Sequence, residues 1–153
     1  MTEFIRDIAY RTWIKDLKNG AFFEKQSELE PNYILINNKK ISRVYLIASV
    51  IQKFENEDSS YANITIDDGS SDIRLKVWKN DVELISDILI SNLILVIGKI
   101  KKYEDEIYIV PEIVKKVDPN WELVHKLILL KEPKHENIEK EKSIEKPEEI
   151  SFK

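Results

Sequence analysis

The chain has 153 residues, enough for one domain with a substantial core, and it contains no cysteine and two histidines. These counts exclude a disulfide framework, a thiolate metal site and a cysteine nucleophile, and they argue against a histidine-based zinc site. The net charge of −4 argues against a strong general nucleic-acid binder, because such binding rests mainly on Lys and Arg neutralising phosphates. With no apolar run of about 20 residues and no basic signal-peptide start, we expect a soluble cytoplasmic protein without a membrane partner.

The first part of the chain carries mixed signals. Residues 5–17 have apolar positions without a single period, so we expect part of this stretch to be a strand or a short helix. Residues 33–36 form a short β-rich run that ends at the turn signal Asn37-Asn38. We therefore assign residues 1–37 to an N-terminal extension that packs on the domain after it.

Five strands are predicted in the next part of the chain, which we assign to one domain at residues 38–118. They are residues 41–51, 61–66, 72–78, 93–103 and 107–110. Residues 54–60 are predicted as a polar loop, and residues 80–91 have the helical spacing of a short crossover helix. Three strands, a crossover and two more strands is the order of an OB-fold, a small Greek-key barrel whose second and third strands commonly face a ligand. The sequence thus predicts a mainly β protein with a five-stranded OB-fold barrel.

A C-terminal helix is predicted at residues 119–131, where Asn120 is a suitable N-cap. Its apolar positions form two adjacent stripes, an arc that is wide for a helix packed on one small barrel. The arc favours pairing with partner subunits, while a helix that plugs the open end of its own barrel is the alternative. His125 is expected at the surface or in that interface. The predicted interface residues are Trp121, Leu123, Val124, Leu127, Ile128 and Leu130.

Beyond the helix the composition changes to Glu, Lys, Ser and Pro with scattered isoleucines. Residues 132–153 hold seven acidic residues and five lysines, so they contribute −2 to the net charge. Such a segment has too little apolar surface to order itself, and we predict a flexible charged tail.

Strict alternation gives two of the predicted strands a face that combines cations with an aromatic ring. One is residues 72–78 and the other is residues 95–103. Cations for phosphates beside flat rings for bases is the combination that holds a single-stranded nucleic acid. An ordinary solvated barrel face is the alternative, because aromatic residues favour strands in general. The candidate binding residues are Arg74, Lys76, Trp78, Lys99, Lys101 and Tyr103.

Signals for catalysis are weak. Asp67-Asp68 precedes Gly69, so a hairpin turn is favoured over a pair of catalytic carboxylates. A Gly-rich phosphate loop, a nucleophile elbow and metal-ligand spacing are all missing from the sequence. We therefore expect a protein that is not an enzyme and that needs no cofactor.

Several short stretches carry a further signal in their order and spacing. They are residues 32–35, 40–47, 97–103 and 111–118, together with Arg11-Thr12-Trp13 and Asp16-Leu17. Together they resemble the archaeal replication protein A family, and within it the middle, single-OB subunit of the heterotrimer. The resemblance spans about residues 8 to 131.

This resemblance implies single-stranded DNA binding in replication, repair and recombination. It implies that Trp78 and Tyr103 stack on bases, and that the C-terminal helix joins a bundle with one helix from each of two other subunits. The expected partners are therefore single-stranded DNA, held weakly by this chain alone, and other OB-fold subunits. Two alternatives are a structural subunit that bridges partners without touching DNA and an OB-fold RNA-binding module.

Overall fold

A computed structural model describes residues 8–25 and 29–131 of the chain. The tail predicted at residues 132–153 lies outside the described residues. The elements in chain order are β1 (Ala9–Arg11), α1 (Ile14–Asn19), β2 (Ala21–Phe23), β3 (Tyr33–Ile36), β4 (Lys39–Ile41), β5 (Arg43–Glu55), β6 (Tyr61–Asp67), β7 (Asp72–Trp78), a 3-10 helix (Lys79–Ile85), β8 (Leu93–Tyr103), β9 (Glu106–Lys116) and α2 (Pro119–Lys131).

Strands β5 to β9 form a closed barrel in the order β5, β6, β7, β9, β8, and the pairing of β5 with β8 closes it. β7 and β9 run parallel, whereas the other barrel pairs are antiparallel. The 3-10 helix connects β7 to β8 and buries Val82 and Ile85, which confirms the predicted short crossover. The predicted five-stranded OB-fold barrel followed by a C-terminal helix is thus confirmed.

The inward faces of the strands supply the core, because β-branched and leucine side chains alternate with polar ones. In β7 the alternation is complete: Ile73, Leu75 and Val77 are buried, while the side chains between them face outward. The helix α1 adds Ile14 and Leu17 to the same core, against Ile34 of β3. The barrel is therefore packed with side chains, and any ligand contacts its outer surface.

Two predicted strand ends were wrong. Residue 54 was assigned to a loop, but β5 continues to Glu55 because Phe54 pairs with Asn63 of β6. A register shift between Val50 and Gln52 bends this long strand so that it can serve both sides of the barrel. Such bends keep a strand of 13 residues within the ladder of a small barrel.

Pro111 was predicted to end the last strand, but β9 passes through it to Lys116. Pro111 lies opposite Gly98, next to the register shift between Ile97 and Gly98. Backbone pairing is interrupted there, so the missing N–H of proline costs no strand hydrogen bond. A Cβ at Gly98 would lie 2.6 Å from the carbonyl oxygen of Val110, so the glycine permits this close approach of the two strands.

The N-terminal elements pack against one side of the barrel. β1 pairs in parallel with β5, and β2, β3 and β4 form a separate three-stranded sheet. The turn between β3 and β4 places Asn37 and Asn38 at φ of 51° and 69°, a left-handed conformation that asparagine tolerates. The carboxylate of Asp68 accepts a hydrogen bond from the amide of Ile14 at 3.0 Å, which fixes α1 to the turn between β6 and β7.

Candidate nucleic-acid interface

The outer face of β7 carries the three side chains that the alternation selected. Trp78 is 43% exposed at the end of the strand. Arg74 is about half exposed, whereas the side chain of Lys76 retains 12% of its accessible surface. The predicted face exists, but Lys76 is held against the protein and does not extend into solvent.

Four aromatic rings form a continuous row across this face, which we call the aromatic ladder. Ring centroids are 6.2 Å apart between Phe54 and Tyr61, 5.5 Å between Tyr61 and Trp78, and 6.3 Å between Trp78 and Tyr108. The members come from β5, β6, β7 and β9, and Tyr61 pairs directly with Trp78 in the sheet. Rings held by their neighbours give flat surfaces at low entropic cost, which suits stacking with planar groups such as nucleobases.

A single carboxylate lies among the cations of this face. Glu106 accepts from Lys76 at 2.9 Å, and its second oxygen lies 3.6 Å from Nε of Arg74. The ammonium of Lys76 also lies 4.4 Å from the ring centroid of Tyr108. The two β7 cations that sequence analysis assigned to phosphates are thus both paired with Glu106.

Strand β8 supplies the other three predicted residues. Lys101 pairs in register with Tyr108, and Tyr103 pairs with Glu106, so both face the same side as the ladder. Lys99 and Tyr103 are exposed, and Lys101 is half-buried. The structure therefore brings the six candidates to one outer surface. The ring of the β8–β9 hairpin that contacts Trp78, however, is Tyr108.

Sequence analysis did not identify Phe54, Tyr61, Tyr108 and Glu106 as site residues. Phe54 was assigned to a loop, and Tyr61 and Tyr108 stood as ordinary strand aromatics. Their shared face depends on the register between strands, and the parallel pairing of β7 with β9 joins segments more than thirty residues apart. The available signal was the alternation of Glu106 and Tyr108, which matches that of Lys101 and Tyr103.

The helix α2 places most of its apolar side chains on the side away from the barrel. Five of the six predicted interface residues are between 47% and 71% exposed. Ile128 is half-buried and faces the barrel side, where it lines a groove with residues of β1 and β4. The exposed residues are Trp121, Leu123, Val124, Leu127 and Leu130.

The helix α2 contacts the barrel through His125, which is 1% exposed within this chain, so the prediction that it lies at the surface or in a partner interface was wrong. Nη1 of Arg11 donates to Nδ1 of His125 at 3.0 Å, and the Arg11 guanidinium stacks 4.3 Å from the ring centroid of Tyr45. A guanidinium has donors alone, so Nδ1 must accept and His125 is neutral. Burial, and then the charge of Arg11, lower the pKa of His125 to about 4.

The described residues show no group of three or more histidine, aspartate or glutamate side chains placed to hold a metal ion. None of the helices in the described part of the chain combines the length and apolar character that crossing a bilayer requires.

Residues 45–117 match the sequence-family model described as OB-fold nucleic acid binding domain, and this span covers nearly the whole barrel. Barrel topology and this match together define the fold class, an OB-fold domain. No curated protein matches the sequence.

Solved structures extend the likeness of fold beyond the barrel. A chain of the S. pombe Stn1–Ten1 complex is 17% identical with a TM-score of 0.70, and the match covers 88% of this chain and 96% of that one. A chain of a replication protein A heterotrimer bound to ssDNA is 18% identical, with a TM-score of 0.63 and coverage of 79% and 91%. A chain of yeast RPA bound to ssDNA is 21% identical, with a TM-score of 0.63 and coverage of 85% and 92%. At these identities the likeness is one of fold.

Proposed function

We propose that this protein binds single-stranded DNA as a non-enzymatic subunit of a replication-protein-A-like complex in the cytoplasm, in replication, repair and recombination. The observation that carries the proposal is the aromatic ladder, four rings in contact across the outer face of an OB-fold barrel. Stacking is tolerant of sequence because every base has a π face, and each stacked base contributes about 1–3 kcal/mol. A row of rings with cations beside it therefore fits a single strand better than a duplex, whose bases are already stacked.

The charge of the domain makes this binding weak for the chain alone. Residues 132–153 account for −2 of the net −4, so residues 1–131 also sum to −2. On the ladder face Arg74 and Lys76 are paired with Glu106, which leaves Lys99 and Lys101 of β8 as the principal phosphate contacts. Binding then depends mainly on stacking, with a shallow dependence on salt.

The outward face of α2 supports assembly with other OB-fold subunits through a helix bundle. A helix that exposes five large apolar residues is more stable in water when another apolar surface covers them. The helix contacts the barrel around His125, so its exposed apolar residues stay available while the helix is docked. Two of the similar structures belong to a heterotrimer and to a two-protein complex, which supports the same arrangement here.

A second function is a structural subunit that bridges partners while they hold the DNA. The pairing of Arg74 and Lys76 with Glu106 favours it, because this removes two cations from phosphate binding. Both functions share the α2 assembly surface, and they differ in whether the ladder contacts bases.

Fluorescence anisotropy with a labelled oligothymidylate, on the full chain alone and with any OB-fold partner added, separates these functions. Trp78→Ala should weaken binding about 5- to 100-fold, because it removes the central stacking ring. The matched control is Phe23→Ala, an aromatic of the three-stranded sheet that is similarly exposed at 41% and that contacts the ring of Tyr33.

Phe23→Ala should bind like the wild type. Equal affinity of Trp78→Ala and the wild type contradicts the ladder and leaves the structural subunit. Competition with an oligouridylate of the same length tests the RNA-binding alternative, which a clear preference for RNA would establish.

A further inference from the structure

Glu106 occupies a position on the ladder face that the stacking mechanism does not use. It is the first residue of β9, directly after the Glu104-Asp105 turn, and its two oxygens contact different cations of β7. One carboxylate thereby holds both Arg74 and Lys76. The ammonium of Lys76 is fixed further by the ring of Tyr108, and its side chain is 12% exposed.

This arrangement places a negative charge where the DNA backbone must approach. A single strand carries one phosphate for each base, so a base stacked on Trp78 or Tyr108 brings phosphates close to Lys76 and Arg74. Each phosphate there must either displace the Glu106 carboxylate from its cations or remain beside a like charge, which costs free energy at these distances. The local sum of two cations and one carboxylate leaves a single positive charge in place of two.

We infer that Glu106 is a built-in competitor for phosphate, an affinity-setting residue that occupies Arg74 and Lys76 in the free protein and exchanges with the DNA backbone on binding. The inference rests on the proposed function, since it concerns the same face. Because Glu106 neutralises the two cations, tight binding requires base stacking. A polyanion that offers phosphates without unpaired bases therefore binds weakly. The face consequently discriminates single strands from duplexes and from sulfated polymers.

Glu106→Gln tests this inference, because glutamine keeps the size of the side chain and an oxygen acceptor for Lys76 while removing the charge. The control is Asp105→Asn, which removes the same charge from an exposed position in the adjacent turn. Glu106→Gln should tighten oligothymidylate binding about fivefold or more at low salt, whereas Asp105→Asn changes it about twofold at most. The slope of log affinity against log salt should steepen by about one, because the net positive charge that the face offers to phosphates rises by one. Binding of duplex DNA and heparin should rise as well.

If Glu106→Gln lowers the melting temperature, a second pair of variants separates the loss of charge from the loss of stability. Lys76→Gln leaves the carboxylate without its nearer partner and should weaken binding. Lys76→Gln combined with Glu106→Gln should then bind more tightly than Lys76→Gln alone, since the competing charge is gone.

Wild-type affinity and slope in Glu106→Gln, or no gain in the double variant over Lys76→Gln, overturns the role of Glu106. In that case a loss in Trp78→Ala still upholds single-strand binding. Unchanged binding in Trp78→Ala instead rejects the function itself, so the two failures are distinguishable.

Discussion

The aromatic ladder and the outward face of α2 are both exposed apolar surfaces, but their side chains have different partners. Each ring of the ladder contacts another ring, and the cations beside it contact Glu106, so the surface is satisfied in water and ready for a ligand that comes and goes. The exposed apolar side chains of α2 are between 47% and 71% exposed. For the proposed function this difference matters, because the ladder suits transient binding and the exposed apolar residues of α2 suit lasting burial against a partner.

The way α2 is attached explains why its apolar side is left outside. His125 of the helix contacts Arg11 of β1 and the ring of Tyr45 of β5, and Arg11 in turn lies over the Tyr45 ring. Ile128 of the helix is half-buried beside β1 and β4. Docking through these contacts fixes the orientation of the helix while leaving most of its apolar side chains exposed. In the proposed assembly, burial of these exposed apolar side chains against a partner would stabilise the complex.

The largest expected effect comes from charges placed on the outer side of α2. Val124→Asp with Leu127→Asp should weaken association with an OB-fold partner, or self-association of the chain, roughly 100-fold or more, because two carboxylates would be buried in an apolar contact. Analytical ultracentrifugation measures this. The control, Lys131→Asp, makes the same change in net charge at an exposed residue of the same helix. Unchanged association in the double variant would mean that α2 does not mediate assembly.

The second effect concerns the docking of α2 as a function of pH. The pKa of His125 is lowered to about 4 in the docked helix, so the imidazole binds a proton more tightly when the helix is undocked. Docking is therefore fully stable above the ordinary histidine pKa of about 6.5, and it weakens as the pH falls toward 4. Over this whole pH range the free energy of docking falls by about 3 kcal/mol. Burial and the charges of Arg11 and Lys126 lower the pKa, while Asp68 and Glu122 oppose them.

Hydrogen exchange of the α2 amides, followed from pH 7 to pH 4, tests the docking, with exchange rates corrected for their intrinsic dependence on pH. The control is His135→Gln, which leaves His125 as the sole histidine of the sequence and should show the same loss of protection. Protection of α2 that is constant down to pH 4 would show that docking does not depend on a neutral His125.

The smallest effect is expected at the end of the ladder. Phe54→Ala should weaken oligothymidylate binding by about 1 kcal/mol, close to fivefold, because Phe54 contacts one ring while Trp78 contacts two. Ile51→Ala is the control, an apolar residue of the same strand with similar exposure. If Phe54→Ala weakens binding as much as Trp78→Ala, the ladder does not act as a graded row of stacking positions.

The barrel could be predicted because its strands report their own periodicity. β7 and β8 were predicted with their correct ends, since alternation and flanking turns mark them directly. The errors at Phe54 and Pro111 have a common cause. A strand ends where its partner strand stops pairing with it, and a bulge allows a proline to lie within a paired strand. Local patterns do not carry that information.

The candidate site could be predicted in part for the same reason. Trp78, Arg74 and Lys76 share a face by alternation within one strand, which is a local property. The contacts of Tyr61 and Tyr108 with Trp78, and of Glu106 with Lys76, join different strands and depend on the register. The burial of His125 was missed because its partners Arg11 and Tyr45 lie 114 and 80 positions away in the sequence.

The hydrogen bond from Arg11 to His125 also has a consequence for the order in which the protein is completed. Its two ends lie 114 residues apart, near the beginning and the end of the described chain. During synthesis the N-terminal segment and the barrel strands leave the ribosome before residue 125, and long-range contacts are the slowest to close. The proposed assembly surface on α2 therefore takes its fixed orientation only after the segments that form the barrel have been synthesised.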